Sequence, residues 1–581
     1  MPVGVPPLGG PLGRSRGRLS ASSLTTYLRC PRQWLLGYQV GLQGPTRPSQ
    51  IVGVVLEDAL CELLMMHPPV SDTYESLSQW AHSKIHDVAK KAHERGAEAW
   101  NESLWTAEGT SWDDVLLSSF EQRIGDGLGL FLEEVQACFD ADGGPYLDAN
   151  RNGHETFSIP SPSWGSSPSF PRPEKVPDIE KMKWETKDQP TWSIEGEPIT
   201  WHEAWECARP WVKDPRVHQP QRLYHPEGWA SGELDLVLRW DGRIRLVDIK
   251  SGRSGSAFSS SLEHQLRFYA WLWNQTHEGE LVSSMEGWYL NGGERVNYDA
   301  PDGKEIESLT TFYRTQHEAM QAEGEAVLAF PRTPEQACDG SAAGCVWCSV
   351  SKDESGWQTT QMTAWIESIP SVSLRSPYQS LASIQGRVSV RGSLGGEWSL
   401  PNHFGEQVLG AVLVSGQKHV TVEESEPGAF SDLHDLGGEV EIHNAMPGVW
   451  RDQPRVYLDD KTTITTVVDS GEQGKTELTR LGLLRTRANV SGHVLSIRKR
   501  SGVRLDGKPW TMLTFILWDG GHVAEVVAFG SSINQRLLKL SPGDLVSMTG
   551  VEIGWRSGIL QLRIDNRKTR FETSTQPSFK E

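Results

Sequence analysis

The chain has 581 residues, of which 37% are hydrophobic, with a mean hydropathy of −0.44 and a formal net charge of −19. This length predicts roughly three or four globular domains. The sequence has no apolar run long enough to span a membrane and no signal-peptide core, and seven cysteines do not suit a secreted disulfide framework. We therefore expect a soluble, cytoplasmic protein with no membrane partner.

The charge is unevenly distributed along the chain. Residues 485–581 contain 15 Lys and Arg against 8 Asp and Glu, a net of +7, so the remainder carries −26. A positive surface attracts the phosphate backbone. We expect nucleic acid to bind at the C-terminal end.

The first predicted elements are helical. Residues 1–17, rich in Gly, Pro and Arg, form a predicted disordered tail. A serine-capped helix then begins the string S-x-L-x-x-Y-x-x-C-P-R-x-W, which contains Cys30, and a second helix near 53–60 contains Glu57.

A longer helix follows, and then an irregular segment. Apolar residues recur at spacings of three and four, which predicts one buried helix face; they are Leu116, Phe120, Ile124, Leu128, Phe131 and Val135. Residues 141–200 lose this periodicity and include a Pro- and Ser-rich run, which predicts an insertion or loop.

Residues 229–253 predict a β-hairpin. Leu234, Leu236 and Leu238 occupy alternate positions of a first strand, and Ile244 begins a return strand. Between them, Asp241-Gly242 is the dipeptide that favours a tight type I′ turn.

This hairpin carries Asp235, Asp248 and Lys250. Asp248 and Lys250 are two apart and share a strand face, and Asp235 is within reach across the hairpin. Two converging carboxylates repel each other unless a cation lies between them, and a hard divalent metal suits oxygen ligands. A neighbouring ammonium can hold water or stabilise charge on a phosphate. Because D-I-K triplets also occur by chance, this motif alone leaves a solvated hairpin open.

Two further motifs follow the hairpin. Gln265 and Tyr269 lie four apart in a predicted helix over 262–270 and share a face. The cysteines Cys338, Cys345 and Cys348, together with Cys30, supply four thiolates, the number that holds a [4Fe–4S] cluster or a tetrahedral zinc ion. The ligands alone favour zinc.

In this order, the motifs of residues 18–352 resemble the RecB/AddB-type branch of the PD-(D/E)XK nucleases, including its iron–sulfur members. The resemblance implies a restriction-endonuclease-like α/β domain with Mg²⁺ or Mn²⁺ on Glu57, Asp235 and Asp248 and on the Ile249 carbonyl. Many relatives carry His at the position of Glu57. Lys250 would position the attacking water.

The resemblance also assigns the remaining motifs. Gln265 and Tyr269 would help to hold the DNA strand near the metal. Iron–sulfur members join one early cysteine to three late ones, which favours a [4Fe–4S] cluster. Here no cysteine follows Cys348 and Cys338 supplies the extra ligand, so the alternative of structural zinc stays open.

The second half of the chain predicts two all-β, OB-fold-like barrels. A linker at 353–379 precedes a first barrel at 380–468, where acidic side chains outnumber basic ones and favour a protein contact. Its strands are predicted near 383–390, 407–414, 440–443 and 456–458. A second linker at 469–483 leads to a basic barrel at 484–573 and a tail at 574–581. The basic barrel has predicted strands at 490–497, 510–518, 523–529, 546–551 and 559–564 and a helix at 533–540.

OB-folds bind oligonucleotides on one sheet face and through the loops that join strands 1–2 and 4–5. In the basic barrel we expect these loops to contain Arg498, Lys499, Arg500, Arg504 and Lys508, and Trp555 and Arg556. The alternative is that Trp510 and Trp518 are core residues and that the charges are merely solvated.

Together these features predict a metal-dependent DNA nuclease, a RecB-like exonuclease that hydrolyses phosphodiester bonds of single-stranded or end-bearing DNA in repair, recombination or defence. DNA and a helicase or repair protein are the expected partners. The alternative is a non-catalytic scaffold that binds single-stranded DNA and retains a relic nuclease fold. An intact D-I-K motif and Gln265 favour the enzyme.

Overall fold

The computed structural model describes residues 18–153, 190–325 and 372–574, apart from short gaps such as 30–33, 213–222, 402–406, 468–477 and 504–508. An α/β domain is followed by two β-barrels. The two predicted tails lie outside the described residues almost entirely, and so do most of the first linker and the centre of the predicted insertion.

The α/β domain contains a five-stranded sheet with helices on both sides. Its strands, together with a separate two-stranded pair formed by β2 and β3, are β1 (Trp211–Val212), β2 (Leu223–Tyr224), β3 (Ser231–Gly232), β4 (Leu236–Leu238), β5 (Arg245–Lys250), β6 (Ser284–Tyr289) and β7 (Glu294–Tyr298). The described helices are α1 (Ala21–Arg29), α2 (Pro48–Leu64), α3 (Tyr74–Ser83), α4 (Ile85–Glu102), α5 (Leu117–Asp140), α6 (Leu147–Arg151), α7 (Trp201–Ala208), α8 (Ser259–Thr276) and α9 (Gly303–Glu325).

The sheet has the order β1-β4-β5-β6-β7, and β5 pairs antiparallel with β4 and parallel with β6. The predicted hairpin is therefore present as β4 and β5, and α8 makes the crossover that a parallel pair requires. Val247 and Ile249 of β5 pack in one core cluster with α2, α4 and α5, whereas Leu246 packs in the other with α1, α8 and α9. Because strand residues alternate between faces, Asp248 points to the α8 side.

The predicted type I′ turn is wrong. Such a turn needs a positive φ at both central residues, but only Gly242 of the Asp241-Gly242 pair has one, at 81°. The Gly242 N–H instead donates to the Arg239 carbonyl oxygen at 2.8 Å. Residues 239–244 thus form a longer loop between β4 and β5, and within it the indole of Trp240 donates to Glu134 of α5 at 3.0 Å.

The predicted apolar helix face is present in α5, with one exception. Leu116 is 63% exposed because the helix begins one residue later and Leu116 is its extended N-cap. The other members of the predicted stripe are completely buried, namely Phe120, Ile124, Leu128, Phe131 and Val135.

Both C-terminal units are closed five-stranded barrels. The first contains β8 (Val388–Pro401), β9 (Gln407–Ser415), β10 (Lys418–Glu424), β11 (Glu439–Trp450), β12 (Gln453–Leu458) and the added β13 (Thr463–Thr466). The second contains β14 (Arg487–Val503), β15 (Pro509–Trp518), β16 (Val523–Phe529), helix α10 (Gln535–Leu538), β17 (Leu545–Arg556), β18 (Ile559–Ile564) and the added β19 (Arg570–Ser574).

In each barrel the third and fifth strands pair in parallel, and the fourth strand closes the barrel against the first. This is the OB-fold arrangement that the sequence predicted. Three details differ. Strand β10 was not predicted because charged residues surround its only core valines, Val420 and Val422. Strand β8 begins at Val388 because Leu381–Ser383 forms a 3₁₀ turn, and α10 is shorter than expected.

The two barrels share their cores. Leu381 and Ile384 precede the first barrel but pack inside the core cluster of the second. Conversely, Leu481 precedes the second barrel and packs in the core of the first. The carboxylate of Asp519 fixes this exchange, since its Oδ2 accepts from the Leu381 N–H at 2.8 Å.

Across the residues that the structure describes, no helix is both long enough and apolar enough to cross a membrane.

Candidate active site and nucleic-acid interface

The end of β5 carries a charged cluster that joins the strand to α8. Asp248 is 1% exposed, and one of its carboxylate oxygens lies 2.5 Å from Lys250 Nζ. The other accepts a hydrogen bond from Gln265 Nε2 at 2.8 Å. Gln265 Nε2 also donates to Tyr269 Oη at 3.0 Å, and Lys250 Nζ lies 3.5 Å from Gln265 Oε1. The structure thus brings together four of the residues that the sequence singled out.

Asp235 joins this cluster from the start of β4. Its Oδ2 accepts from the Ile249 backbone N–H at 2.9 Å, which places its carboxylate beside that of Asp248. The Ile249 side chain is in the core, so only its backbone is available to the site.

Glu57 approaches from α2. A Cβ added to Gly53 would lie 3.7 Å from Ser251 Oγ, so this helix passes close to the end of β5. Glu57 is one turn further along the same helix face and is half-buried. Its charge acts on both Asp235 and Lys250. The structure therefore brings Glu57 to the cluster as well.

The cluster has an excess of negative charge. Burial, together with repulsion from Asp248 and Glu57, raises the pKa of Asp235 well above its ordinary value of 3.8. Burial alone would lower the pKa of Lys250, but the nearby carboxylates of Asp248, Asp235 and Glu57 outweigh it and raise that pKa. Lys250 is thus an ammonium among three carboxylates, a surplus that favours an added cation.

The donor chemistry fits a hard divalent cation. The Oδ2 atom of Asp248 is buried and forms an ion pair with Lys250 Nζ at 2.5 Å, but no described amide, hydroxyl or backbone N–H donates a hydrogen bond to it. Carboxylate oxygens are the ligands that Mg²⁺ prefers. However, the described ranges contain no group of three or more His, Cys, Asp or Glu side chains that could hold a metal ion as placed. In this arrangement the carboxylates are engaged by Lys250, Gln265 and the Ile249 N–H.

Two tyrosines beside the site were missed by the sequence analysis. Gly287 of β6 is the direct neighbour of Asp248, and a Cβ added to it would lie 3.2 Å from the Tyr289 ring and 3.7 Å from the Tyr298 ring. Burial and hydrogen bonding to Tyr289 raise the pKa of Tyr298 to about 12. A glycine inside a strand marks such a close approach and is the signal that could have found them.

The predicted four-cysteine site lies outside the described residues, since Cys30, Cys338, Cys345 and Cys348 all fall in gaps. The described residues around Cys30, including Leu24 and Trp34, pack in one core cluster with α8 and α9. The other cysteines, Cys61, Cys138 and Cys207, are buried thiols that form no disulfide.

The predicted basic loops are partly strands. Arg498, Lys499 and Arg500 belong to β14 and pair with Thr514, Leu513 and Met512 of β15. Trp555 and Arg556 likewise belong to β17, where they pair with Leu560 and Ile559. The loop prediction is wrong at these positions because both strands continue past the barrel core. Arg504 and Lys508 lie outside the described residues.

The exposure of the basic barrel is mixed. Arg498 and Arg500 are exposed, but Lys499 Nζ lies 3.5 Å from Glu102 Oε1 of the α/β domain. Trp518 is 3% exposed and is a core residue, whereas Trp510 is half-buried. The alternative interpretation, in which both tryptophans are core residues, is therefore correct for Trp518 but not for Trp510.

The model of the PD-(D/E)XK nuclease superfamily matches residues 18–127 and 185–352. The chain therefore contains a domain of this superfamily, and the matched residues include all the members of the charged cluster. The match is to the superfamily as a whole and not to the RecB/AddB subtype or to an iron–sulfur motif. No curated protein matches the sequence.

Several solved structures match part of the chain. A replication protein A heterotrimer bound to single-stranded DNA matches at 13% identity, with 33% of this chain, 50% of that chain and a TM-score of 0.14. A murine DNA-binding protein bound to double-stranded DNA matches at 12%, with 33% and 98% covered and a TM-score of 0.13. An OB domain from Thermoplasma acidophilum matches at 15%, with 18% and 93% covered and a TM-score of 0.12. The chain thus spans half the length of the replication protein A chain.

Proposed function

We propose, from the superfamily match and the charged cluster, that this chain is a DNA nuclease that depends on Mg²⁺ or Mn²⁺ and hydrolyses phosphodiester bonds. The observation that carries the proposal is the meeting of Asp235, Asp248 and Lys250 at the end of β5, with Gln265 and Glu57 beside them. A structural ion pair needs one carboxylate per ammonium, and this cluster holds three.

The residues divide the chemistry among them. A divalent cation held by Glu57, Asp235, Asp248 and the Ile249 carbonyl would polarise the phosphate and acidify a bound water. Lys250, kept protonated by its neighbours, positions the water and stabilises negative charge that develops on the phosphate. Gln265 orients Asp248 through one hydrogen bond and is itself held by Tyr269.

The substrate in this proposal is single-stranded or end-bearing DNA, cut by a RecB-like exonuclease in the cytoplasm during repair, recombination or defence. The positive charge of residues 485–581 supports DNA as the partner, since the rest of the chain is strongly acidic. A helicase or repair protein completes the proposed set of partners.

The four thiolates are proposed to hold a [4Fe–4S] cluster, with structural zinc as the alternative. Two described features support a shared centre. Helix α1 ends at Arg29, one residue before Cys30, and both this helix and α9, which leads toward Cys338, pack on α8 in one core cluster.

Two substitutions test the proposed enzyme. Asp248→Ala and Lys250→Ala should each abolish Mn²⁺-dependent degradation of single- and double-stranded DNA, because each removes a group that touches the reacting phosphate or its metal. The matched controls are Asp299→Ala and Lys304→Ala, which remove the same charges from exposed positions of the same domain and should leave degradation unchanged.

Melting curves of all four variants establish that they fold. Cleavage retained in both site variants would refute the site assignment. Wild-type protein that binds single-stranded DNA but cuts none of the substrates would instead support the non-catalytic scaffold.

A further inference from the structure

The second barrel carries a projecting two-stranded arm. Strands β14 and β15 pair as far as Val503 and Pro509, whereas β16 pairs with β15 only up to Met512. Residues 501–503 and 509–511 therefore project beyond β16 as two strands. We call these residues, together with their base at 498–500 and 512–514, where β15 also pairs with β16, the hairpin arm. Isolated two-stranded hairpins are marginally stable in water, so such an arm needs support from elsewhere.

One face of the hairpin arm combines arginine with an aromatic ring. Arg498, Arg500 and Gly502 are two apart and share this face, and Trp510 lies directly opposite Gly502, so it points the same way. A Cβ added to Gly502 would lie 2.9 Å from the indole Nε1, so only glycine lets the ring lie against β14. Both arginines are exposed, and Trp510 is half-buried. Cationic groups beside a stacking surface are what single-stranded nucleic acid requires.

The sheet face that OB-folds ordinarily offer to a ligand is closed in this barrel. Its outward positions alternate with the core residues Phe515, Leu517, Ala524 and Val526. The outward side chains are almost completely buried, with exposures of 3% for Ile516, 3% for Trp518, 1% for Val523 and 0% for Val527. DNA therefore has no access to the middle of this face. Met512, opposite Arg500, is still only 6% exposed, whereas the side chains of Arg498 and Arg500 at the edge of the face are exposed.

The opposite face of the hairpin arm is docked on the α/β domain. Lys499 Nζ lies 3.5 Å from Glu102 Oε1, and Leu104 and Trp105 pack against the core cluster of the barrel. We call residues 103–107 the docking loop. The ion pair contacts the arm directly, and the packing of Leu104 and Trp105 holds the docking loop against the barrel.

The docking loop is tied to the helix that carries Glu57. The Trp105 carbonyl oxygen accepts from the Thr46 N–H at 2.9 Å, and the Ala107 N–H donates to the Thr46 carbonyl oxygen at 3.0 Å. Helix α2 begins two residues later, at Pro48. From Pro48 to Glu57 the helix rises about 14 Å. The docking loop is therefore linked to the carboxylate cluster by one short, rigid element.

We propose that Arg498, Arg500 and Trp510 bind a single DNA strand, and that the docking loop holds this platform at a fixed distance from the charged cluster on β5. The platform delivers the strand to the site. This inference rests on the proposed nuclease function but assigns a separate binding surface.

Binding to oligothymidylate at several salt concentrations tests the platform. The full-length Asp248→Ala protein is used as background so that the strand stays intact. Arg498→Ala with Arg500→Ala should lower the slope of log affinity against log salt by about 1.4, because each single-strand phosphate contact contributes about 0.7. Trp510→Ala should weaken binding by about 5- to 150-fold with the slope unchanged, because stacking is not ionic. Trp510→Phe keeps a ring and should retain most of the affinity.

The matched control is Arg567→Ala with Arg570→Ala, two exposed arginines of the same barrel. It removes the same charge without touching the hairpin arm and should leave the slope nearly unchanged. Equal slope changes in the two double variants would overturn the platform, and so would unchanged affinity in Trp510→Ala.

Charge reversal tests the docking. Lys499→Glu and Glu102→Lys should each slow the degradation of long single strands, by up to about fivefold because the ion pair is partly exposed. The double variant restores the pair and should restore the rate. Cleavage of oligonucleotides too short to reach the hairpin arm should be unchanged in all three.

The outcomes separate the two proposals. A wild type that degrades long strands at the rate of both single variants refutes the docking role and leaves the nuclease intact. A wild type that cuts nothing refutes the nuclease, while the binding measurements still decide the platform.

Discussion

At the scale of single residues, Gln265 determines how Asp248 is presented. Its Nε2 group holds Asp248 at 2.8 Å and Tyr269 at 3.0 Å. Partners of metal-binding carboxylates typically affect metal affinity or activity by 10- to 100-fold. We expect Gln265→Ala to lower the cleavage rate by about that factor and to raise the Mn²⁺ concentration needed for half-maximal rate, as measured by metal titration.

The control for this variant is Gln275→Ala, which removes a half-buried glutamine from the same helix. Tyr269→Phe should have a smaller effect than Gln265→Ala, since it removes only the second hydrogen bond of Gln265. A Gln265→Ala enzyme with an unaltered metal requirement would show that Asp248 is oriented by Lys250 alone.

At the scale of elements, Glu134 fastens α5 to the sheet. Its carboxylate is 3% exposed and accepts hydrogen bonds from Arg245 of β5, Arg295 of β7 and the indole of Trp240. Burial would raise the pKa of Glu134, but these donors outweigh it and lower that pKa to about 2.

The sign of the pH dependence follows from this lowered pKa. A carboxylate with a depressed pKa in the folded state stabilises the protein above its unfolded pKa of 4.5, and the stabilisation is lost as the pH falls toward about 2. Glu134→Gln removes the carboxylate that lies nearest to both arginines, although Glu286 remains 3.6 Å from Arg245 and 3.5 Å from Arg295. The lost charged hydrogen bonds should cost about 1–3 kcal/mol at neutral pH.

Urea unfolding at a series of pH values measures this effect. The free-energy gap between wild type and Glu134→Gln should narrow as the pH falls from 4.5 toward 2. Glu133→Gln is the control, because its side chain is 66% exposed and should change stability by less than about 0.5 kcal/mol. A gap that stays constant down to pH 3 would contradict the assignment of Glu134 as the acid-sensitive group.

Much at this scale could be predicted from sequence. The β4–β5 hairpin, the buried stripe of α5 and the strand order of the second barrel follow from local periodicity, which sequence displays directly. The turn was mispredicted because the Asp-Gly pair alone did not reveal the longer loop, in which Trp240 contacts Glu134, 106 residues away. Strand β10 was missed because charged residues flank its two core valines and weaken the apolar alternation.

The residues of the candidate site also divide into those that local sequence identifies and those that it does not. Asp235, Asp248, Lys250 and Gln265 belong to motifs with fixed spacing, and two neighbouring elements bring them together. Glu102 reaches Lys499 only through a tertiary contact, so no local pattern identifies it, and the one local signal for Tyr298 is the glycine at 287 in the neighbouring strand. A run of basic residues gives no local signal that separates a loop from a projecting strand. For this reason Arg498 and Arg500 were assigned to a loop although they lie in β14.

At the scale of the whole molecule, the barrels form one interlocked pair. The lead-in turns at Leu381–Ser383 and Leu481–Leu483 are 100 residues apart and occupy equivalent places in the other barrel. Gly392 and Gly492 repeat the same spacing, and at both a Cβ would lie within 3 Å of a carbonyl oxygen of the adjacent strand. Deleting one barrel would therefore uncover the core of the other.

Leu381→Ala tests this exchange. The side chain is completely buried, and its truncation should cost about 2–5 kcal/mol by leaving a cavity. The loss should appear as faster hydrogen exchange in β15 and β16 of the second barrel, although Leu381 precedes the first. Leu483→Ala, at a 65% exposed position of the equivalent turn, should change little. Faster exchange confined to β8 and β9 would contradict the exchange of lead-in segments.

The four proposed thiolates would link distant parts of the chain, because Cys30 precedes Cys338 by about three hundred residues. A shared metal centre would close that long loop and stabilise the domain by roughly 5 kcal/mol on the cross-link estimate. Alanine at Cys30, Cys338, Cys345 or Cys348 should therefore reduce the melting temperature and the metal content together. Cys61→Ala, at a buried thiol that forms no disulfide, should leave the metal content unchanged.

The colour, absorbance and metal content of protein purified without oxygen identify the metal. A [4Fe–4S] cluster should make the protein brown, with broad absorbance near about 400 nm and about four irons per chain. A colourless protein with one zinc would keep the cross-link and exclude the cluster, since tetrahedral zinc also takes four thiolates. If the wild type contains neither metal and melts at the same temperature as all four alanine variants, no metal joins the two ends of the domain, and their association rests on the packing of α1 and α9 against α8.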